Sequence, residues 1–401
     1  MSGPPPPEPL ALPWEQAWSQ ALYGPDGFYV TAPPADHFAT SVQGIPGAGE
    51  VLARAVLALA RRHGCTAIVD VGCGRGELLA HLRRLAPELR LTGVDVVPRP
   101  TDLDVDAWLV SPGGARLSGW LSGLRDSLVI AHEWLDVVPC PVVELDAGVW
   151  RVVTVTPDGT EHLGDALTGP DLDWVREWVP EGVTRAEVGR ARDLAFADLV
   201  SRVHTGLVVA VDYGHTRQDR PHRGTLTGFR DGREVEPVPD GSCDLTAHVA
   251  MDSLLAAANP ARLHEWGDSD SGQMLAGSGP GHEGFDADVR LPHVVGQAHV
   301  SPYLPHGQTR HAQPQLHAQP QLHAQPQLHA QPQLHVQRDL LLTLRAEIFP
   351  DLHDPSAPEA HERARTEPAA YLEGLRQRAA LSALTARGGL GDFHWLLVPR
   401  R

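Results

Sequence analysis

Residues 70–77 place a carboxylate, Asp70, ahead of glycines at every second position, Gly72, Gly74 and Gly76, with Cys73 between the first two. Glycines so spaced permit a tight turn and let backbone N–H groups reach a ligand with no Cβ in the way. Asp95 follows 19 residues after Gly76, at the end of an apolar run, where a carboxylate can bind the two hydroxyls of a ribose. Together the loop and Asp95 imply a nucleoside ligand. The dinucleotide pattern G-x-G-x-x-G is not met, because the third glycine comes one residue early, and Asp70 would repel a pyrophosphate. A ligand with positive charge near Asp70 fits better than a phosphate.

A second group of reactive side chains lies in AHEWLDVVP, which holds His132, Glu133 and Asp136. Two carboxylates suit a guanidinium, which binds them in a bidentate fork, and a histidine titrates near neutral pH as a base must. Each residue also has a plainer alternative. Glu133 or Asp136 could cap the helix that follows, and His132 could be a satisfied structural histidine. Tyr213, in VDYG, could stack on a substrate or pack in the core.

The surrounding elements must bring these groups together. Trp14 to Tyr29 carries an apolar pattern expected to form a short helix ending at Gly24-Pro25. Val51, Leu52, Ala55, Val56, Leu59 and Ala60 have the spacing of an amphipathic helix over Glu50 to His63, stopped by Gly64. Thr66 to Val71 then reads as a strand, Glu77 to Leu85 as a helix and Leu91 to Val96 as a second strand. Ser127 to His132 and Gly206 to Asp212 are further apolar runs ending in polar residues, as strands do at the ligand-binding edge of a doubly wound sheet. Helical patterns at Gln337 to Ile348 and Tyr371 to Ala386, and a strand at His394 to Val398, close the chain.

With 401 residues the chain exceeds the ~250–300 at which one core stops growing, so a large domain with insertions or two domains is expected. Net charge is −17, and all 33 cations are Arg, which argues against nucleic-acid or anionic-membrane binding and fits a high-GC bacterial source. Cys65, Cys73, Cys140 and Cys243 form no Cys-x-x-Cys pair, which suggests a reducing cytoplasm and no zinc ribbon. The opening residues lack a basic region, so no secretory signal is expected, and no apolar run reaches the ~18 residues of a membrane span. Residues 311–334 are four copies of HAQPQL. A Pro every sixth residue forbids a helix and one Leu per repeat buries too little, so the tract is expected to be disordered or polyproline-like. His311, His317, His323, His329 and His335 lack the close spacing and supporting shell of a metal site, and no metal is expected.

G-x-G-x-G with Asp95 resembles the first two motifs of class I S-adenosylmethionine-dependent methyltransferases. The segments YGPDGFY, HFATS, VDVGCGRGELL, AHEWLDVVP, VDYG, GTLTGFR and DLTAHV occur in this order between Tyr23 and Val249. Together they resemble the MidA family, which includes the mitochondrial complex I assembly arginine methyltransferase. The likeness covers about residues 14–258 and, more weakly, the C-terminal part. It implies an α/β, Rossmann-like class I fold: a doubly wound, mostly parallel seven-stranded sheet with insertions. It implies S-adenosyl-L-methionine as cofactor, held by Asp70, Gly72, Cys73, Gly74, Gly76 and Asp95 with His37, Thr40 and Ser41 of the HFATS segment. Methyl transfer would involve His132, Glu133, Asp136 and Tyr213. The chain departs from the family at Asp70, usually Glu, at His37, where the family has Asp, and at His132, where it has Asn.

The domain reading is therefore a flexible Pro-rich arm at 1–13, a methyltransferase core at 14–258, a low-complexity insertion at 259–336, and residues 337–401 completing the core. The acceptor is expected to be a protein side chain, with arginine one option implied by the resemblance. A small-molecule nitrogen or oxygen, or donor binding without turnover in an assembly factor, are the alternatives. A homodimer is left open.

Overall fold

The computed structural model describes residues 10–31, 45–259, 331–350 and 360–401. Its centre is a seven-stranded sheet: β1 (Ala67–Val71), β2 (Arg90–Asp95), β3 (Ala107–Val110), β4 (Ser127–His132), β5 (Gly206–Asp212), β6 (Gln333–Val336) and β7 (His394–Arg400). The spatial order is β3-β2-β1-β4-β5-β7-β6. The first five strands in that order run parallel, and β7 is antiparallel to both neighbours. β4 and β5 are buried along their whole length, which is why they read as continuous apolar runs without alternation.

Helices cover both faces. On one lie α2 (Ala48–Arg62) and α3 (Glu77–Leu85), packed on Ile68, Leu91, Leu128 and Val209. Val51, Leu52, Val56 and Leu59 of α2 are all at most 2% exposed, and each such side chain contributes about 1.5–3 kcal/mol on burial. Gly64 takes a left-handed φ of +65°, and Cys65 N–H donates to the Ala60 carbonyl at 2.9 Å, the cap expected where the glycine stops α2. The opposite face is covered by α4 (Arg190–Ser201) and α5 (Met251–Ala257), through Phe196, Leu199, Met251 and Leu254 on Val129, Ala131 and Val208.

Between β4 and β5 the chain builds a second sheet that the periodicity had not indicated, from strands at Val142–Asp146, Val149–Val155, Glu161–Ala166 and Arg185–Glu187. Leu12–Pro13 add to it by pairing with Val155 and Thr154, so the end of the expected mobile arm is a strand. The helix that follows, Trp14–Tyr23 (which we call the N-terminal helix), buries Trp14, Trp18 and Leu22 against Val153 and Leu245.

Residues on the two sides of the expected insertion meet in the central sheet. Gln333 and Leu334, the end of the last HAQPQL copy, lie in β6 opposite Leu397 and Leu396, contrary to the expectation of disorder for those two residues. The edge of β7 supplies the backbone partners that the repeat alone lacks. Residues 311–330 of the repeat lie outside the described residues. No helix among the described residues is long and apolar enough to cross a membrane, and no group of three His, Cys, Asp or Glu among them is placed to hold a metal ion.

Candidate active site

β1 ends in Asp70 and Val71, and the chain turns through Gly72, Gly74 and Gly76 at φ +70°, +58° and +82°, into α3. These left-handed conformations account for the glycine spacing. A Cβ on Gly72 would stand 3.2 Å from the Trp134 side chain. Asp95 terminates β2 beside this loop. Its Oδ2 accepts the Gly74 N–H at 2.7 Å, and its Oδ1 accepts Val96 N–H at 2.7 Å and Val97 N–H at 3.3 Å. The carboxylate is thus fixed in orientation and keeps lone pairs for further donors.

The loop opens on a cavity of about 400 Å³, within the range of small-molecule sites. Asp70, Gly72, Cys73, Gly74 and Asp95 line one part of it, and His132, Glu133, Trp134 and Asp136 another. The glycine loop and the AHEWLDVVP segment therefore meet, because β1 and β4 are parallel neighbours whose carboxyl ends lie at one edge of the sheet. Gly76 is not among the lining residues: it caps α3, and a Cβ there would collide with Leu103 at 2.4 Å. Tyr213 also stands outside the lining and packs in the wall, with ring centres 5.0 Å from Phe393 and 5.8 Å from His248. Its hydroxyl is hydrogen-bonded to Asp136 and Thr246. His37, Thr40 and Ser41 lie outside the described residues.

The cavity is strongly acidic. Burial pushes the Asp70 carboxyl well above the usual range, with Asp95 and Glu77 adding repulsion. Burial also raises Asp95 to about 6, opposed by the N–H groups of Gly74, Val97 and Val96. Asp136 and Asp212 are buried near one another, both shifted upward first by desolvation; Glu133 adds to both, and Asp136 to Asp212. Asp212 accepts the N–H groups of Leu135 and Asp136 at 3.0 and 3.3 Å, and Asp136 accepts the Thr246 hydroxyl at 2.7 Å. A cation entering this space would relieve the repulsion and restore the charged forms. His132 is 9% exposed, and burial lowers its pKa to about 4, below the near-neutral titration its type suggested. Its Nδ1 lies 3.6 Å from Glu133 Oε1.

Three contributors were not singled out from the sequence. Tyr23, Tyr29 and Asp244 line the cavity with the glycine loop. The Tyr29 hydroxyl donates to Asp244 Oδ1 at 2.8 Å, the Tyr23 hydroxyl donates to the Val137 carbonyl at 3.1 Å, and the two rings are 5.6 Å apart. Only the YGPDGFY and DLTAHV segments hinted at them, as pieces of a resemblance and not as chemistry.

A family model described as "Putative S-adenosyl-L-methionine-dependent methyltransferase" matches residues 49–266. Two solved structures of Burkholderia thailandensis proteins are similar over 97% of this chain. One, described as a "likely methyl transferase" and bound to S-adenosyl-homocysteine, is 18% identical with a TM-score of 0.61 over 88% of its own length. The other, described as uncharacterized and of the same superfamily, is 19% identical with a TM-score of 0.58 over 87% of its length. These likenesses show a shared fold. No curated protein matches by sequence.

Proposed function

The chain belongs to the family described as "Putative S-adenosyl-L-methionine-dependent methyltransferase", and from that premise we propose that it methylates a nitrogen of a cationic protein side chain, arginine first, as a MidA-like enzyme. The strand order, with β7 reversed beside β5, supports the Rossmann-like class I form of that fold. The observation that carries the acceptor reading is the single cavity in which the glycine loop and Asp95 face Glu133, Asp136 and Asp244.

The residues present fit the methyl donor. Asp95, locked by three N–H groups, suits a ribose diol, and Gly72 and Gly74 line the cavity with backbone alone, Gly72 lying where a Cβ would crowd Trp134. Asp70 suits the positive end of the molecule. When bound, the donor supplies a methyl group on a sulfonium, open to in-line attack. The protein's task is positioning, which is worth ~7–11 kcal/mol when two reactants are held in line. Glu133 and Asp136 hold the incoming cation, and Glu133 takes the proton that the nitrogen must shed. His132, neutral and beside Glu133, orients rather than ionises.

Radiolabelled methyl transfer into a cell lysate tests this reading. Label in protein, released on hydrolysis as methylarginine, is the expected result. Label confined to small molecules would replace the acceptor by a metabolite, a reading favoured by His132 standing where the resembled family has Asn; no label would leave a donor-binding assembly factor.

A further inference from the structure

α4 carries a charged side chain where its periodicity calls for an apolar one. Arg192 shares a helix stripe with Ala195, Phe196 and Leu199, and it is 1% exposed. Its N–H groups go to backbone carbonyls. Nε donates to Val138 at 3.1 Å, Nη1 to Ala247 and His248 at 2.9 Å each, and Nη2 to Asp136 at 2.8 Å.

These four carbonyls belong to two segments that both serve the cavity. One follows β4 and carries Glu133 and Asp136. The other carries Asp244 and Thr246, and its Thr246 hydroxyl donates to Asp136. The guanidinium also lies 5.5 Å over the ring of Trp18, whose indole N–H donates to the Leu245 carbonyl at 3.0 Å. One side chain thus ties the N-terminal helix to both acceptor segments. A buried cation is costly, and a neutral side chain could bridge carbonyls at lower cost, so the charge itself calls for a reason.

We propose that Arg192 is a positioning residue for the acceptor half of the site: it braces the segments that carry Glu133, Asp136 and Asp244, and it holds a fixed positive charge against the backbone of Asp136. This rests on the acceptor reading given above. Among the described residues, the groups facing the Asp136–Asp212 pair are Glu133, His132, His248, Asp244, Tyr213, Tyr23, Tyr29 and Thr246, with burial lowering both histidines, so Arg192 is the cation among them; its charge also acts on Asp193 and Cys140. Removing a positive charge makes carboxyl ionisation harder and moves its midpoint to higher pH.

The test follows the aspartate side-chain carbons by NMR in the full-length protein labelled at that carbon. Asp136→Asn and Asp212→Asn assign the signals, and Arg192→Met and Arg192→Lys are compared with wild type. Arg192→Met should raise the pair's midpoint by about one pH unit and lower methyl incorporation at pH 7 by more than tenfold, with S-adenosylmethionine affinity changed less than threefold. Arg192→Lys, which keeps charge but loses the planar fork, should hold the midpoint within half a unit of wild type and still lower incorporation; it also serves if the Met variant fails to fold. A midpoint unmoved in folded Arg192→Met, or raised equally in Arg192→Lys, would overturn the proposal. Wild type that labels no cationic acceptor would overturn the acceptor reading instead, and the titration would still decide the role of the charge.

Discussion

Glu133 has φ +52°, in the left-handed region that non-glycine residues seldom occupy, with its N–H donating to the Val211 carbonyl at 2.8 Å. Such strain is held by the surroundings and is concentrated at functional sites. Here it aims a carboxylate into the cavity directly at the end of β4. Glu133→Ala should therefore lower turnover by about 100-fold, the usual scale for a lost acid or base, with donor affinity little changed; equal losses in single-turnover rate and calorimetric affinity would make it a donor ligand instead. Gly72 tests the other half of the cavity. Gly72→Val places a branched side chain in left-handed backbone against Trp134, and calorimetry should show donor affinity at least tenfold weaker in a protein that still melts cooperatively. Retained affinity would remove the loop from the donor site. The glycines, Asp95, Glu133 and Asp136 were legible because local motifs carry them. Asp244 and Arg192 were not: Asp244 meets Tyr29 across 215 positions of sequence, and the one clue to Arg192 was a charge on an apolar helix stripe.

The elements of the central sheet were readable for a physical reason. β4 and β5 are buried on both faces and appear as continuous apolar runs, so their predicted limits, Ser127 to His132 and Gly206 to Asp212, coincide with those observed. The second sheet is half exposed and its strands mix polar and apolar residues. Its hairpin turns through Ala147-Gly148, with φ +46° and +82°, joining Asp146 to Val149, and Ala-Gly is not a pair that marks such a turn in sequence. The C-terminal strand is joined to α6 (Gln337–Thr343) by a buried polar side chain that periodicity cannot show. Gln337 is fully buried; its Nε2 donates to the Leu384 and Leu390 carbonyls at 3.1 and 2.8 Å, and its Oε1 accepts the Trp395 indole N–H at 2.9 Å. Gln337→Leu leaves these partners unpaired, at ~1–3 kcal/mol for each such group. Denaturant unfolding should show a loss of about 3 kcal/mol or more, and a loss below 1 kcal/mol would mean that the three partners find other bonds.

On the scale of the whole molecule, the chain brings two stretches far apart in sequence to one sheet. β6 and β7 complete the side of the sheet beyond β5, and the cavity lies at the carboxyl ends of β1, β2 and β4. Deletion of residues 311–330 should leave donor affinity within twofold of wild type. Deletion of 333–336 removes the four-residue pairing with β7 and should lower the melting temperature. The same fall after both deletions would give the repeat a structural part that β6 alone does not have. Asp70, Asp95, Glu133, Asp136 and Asp244 line the cavity, and under the proposed function these carboxyl groups receive a cation. The most direct measurement of that claim is calorimetric titration of the purified full-length protein with S-adenosylmethionine, a melting curve beside it and NADH as control. The account predicts micromolar binding of the methyl donor alone, with ~2.7 kcal/mol of added stability at about 100 times the dissociation constant. A folded protein that shows neither heat nor a melting shift with the donor would contradict it.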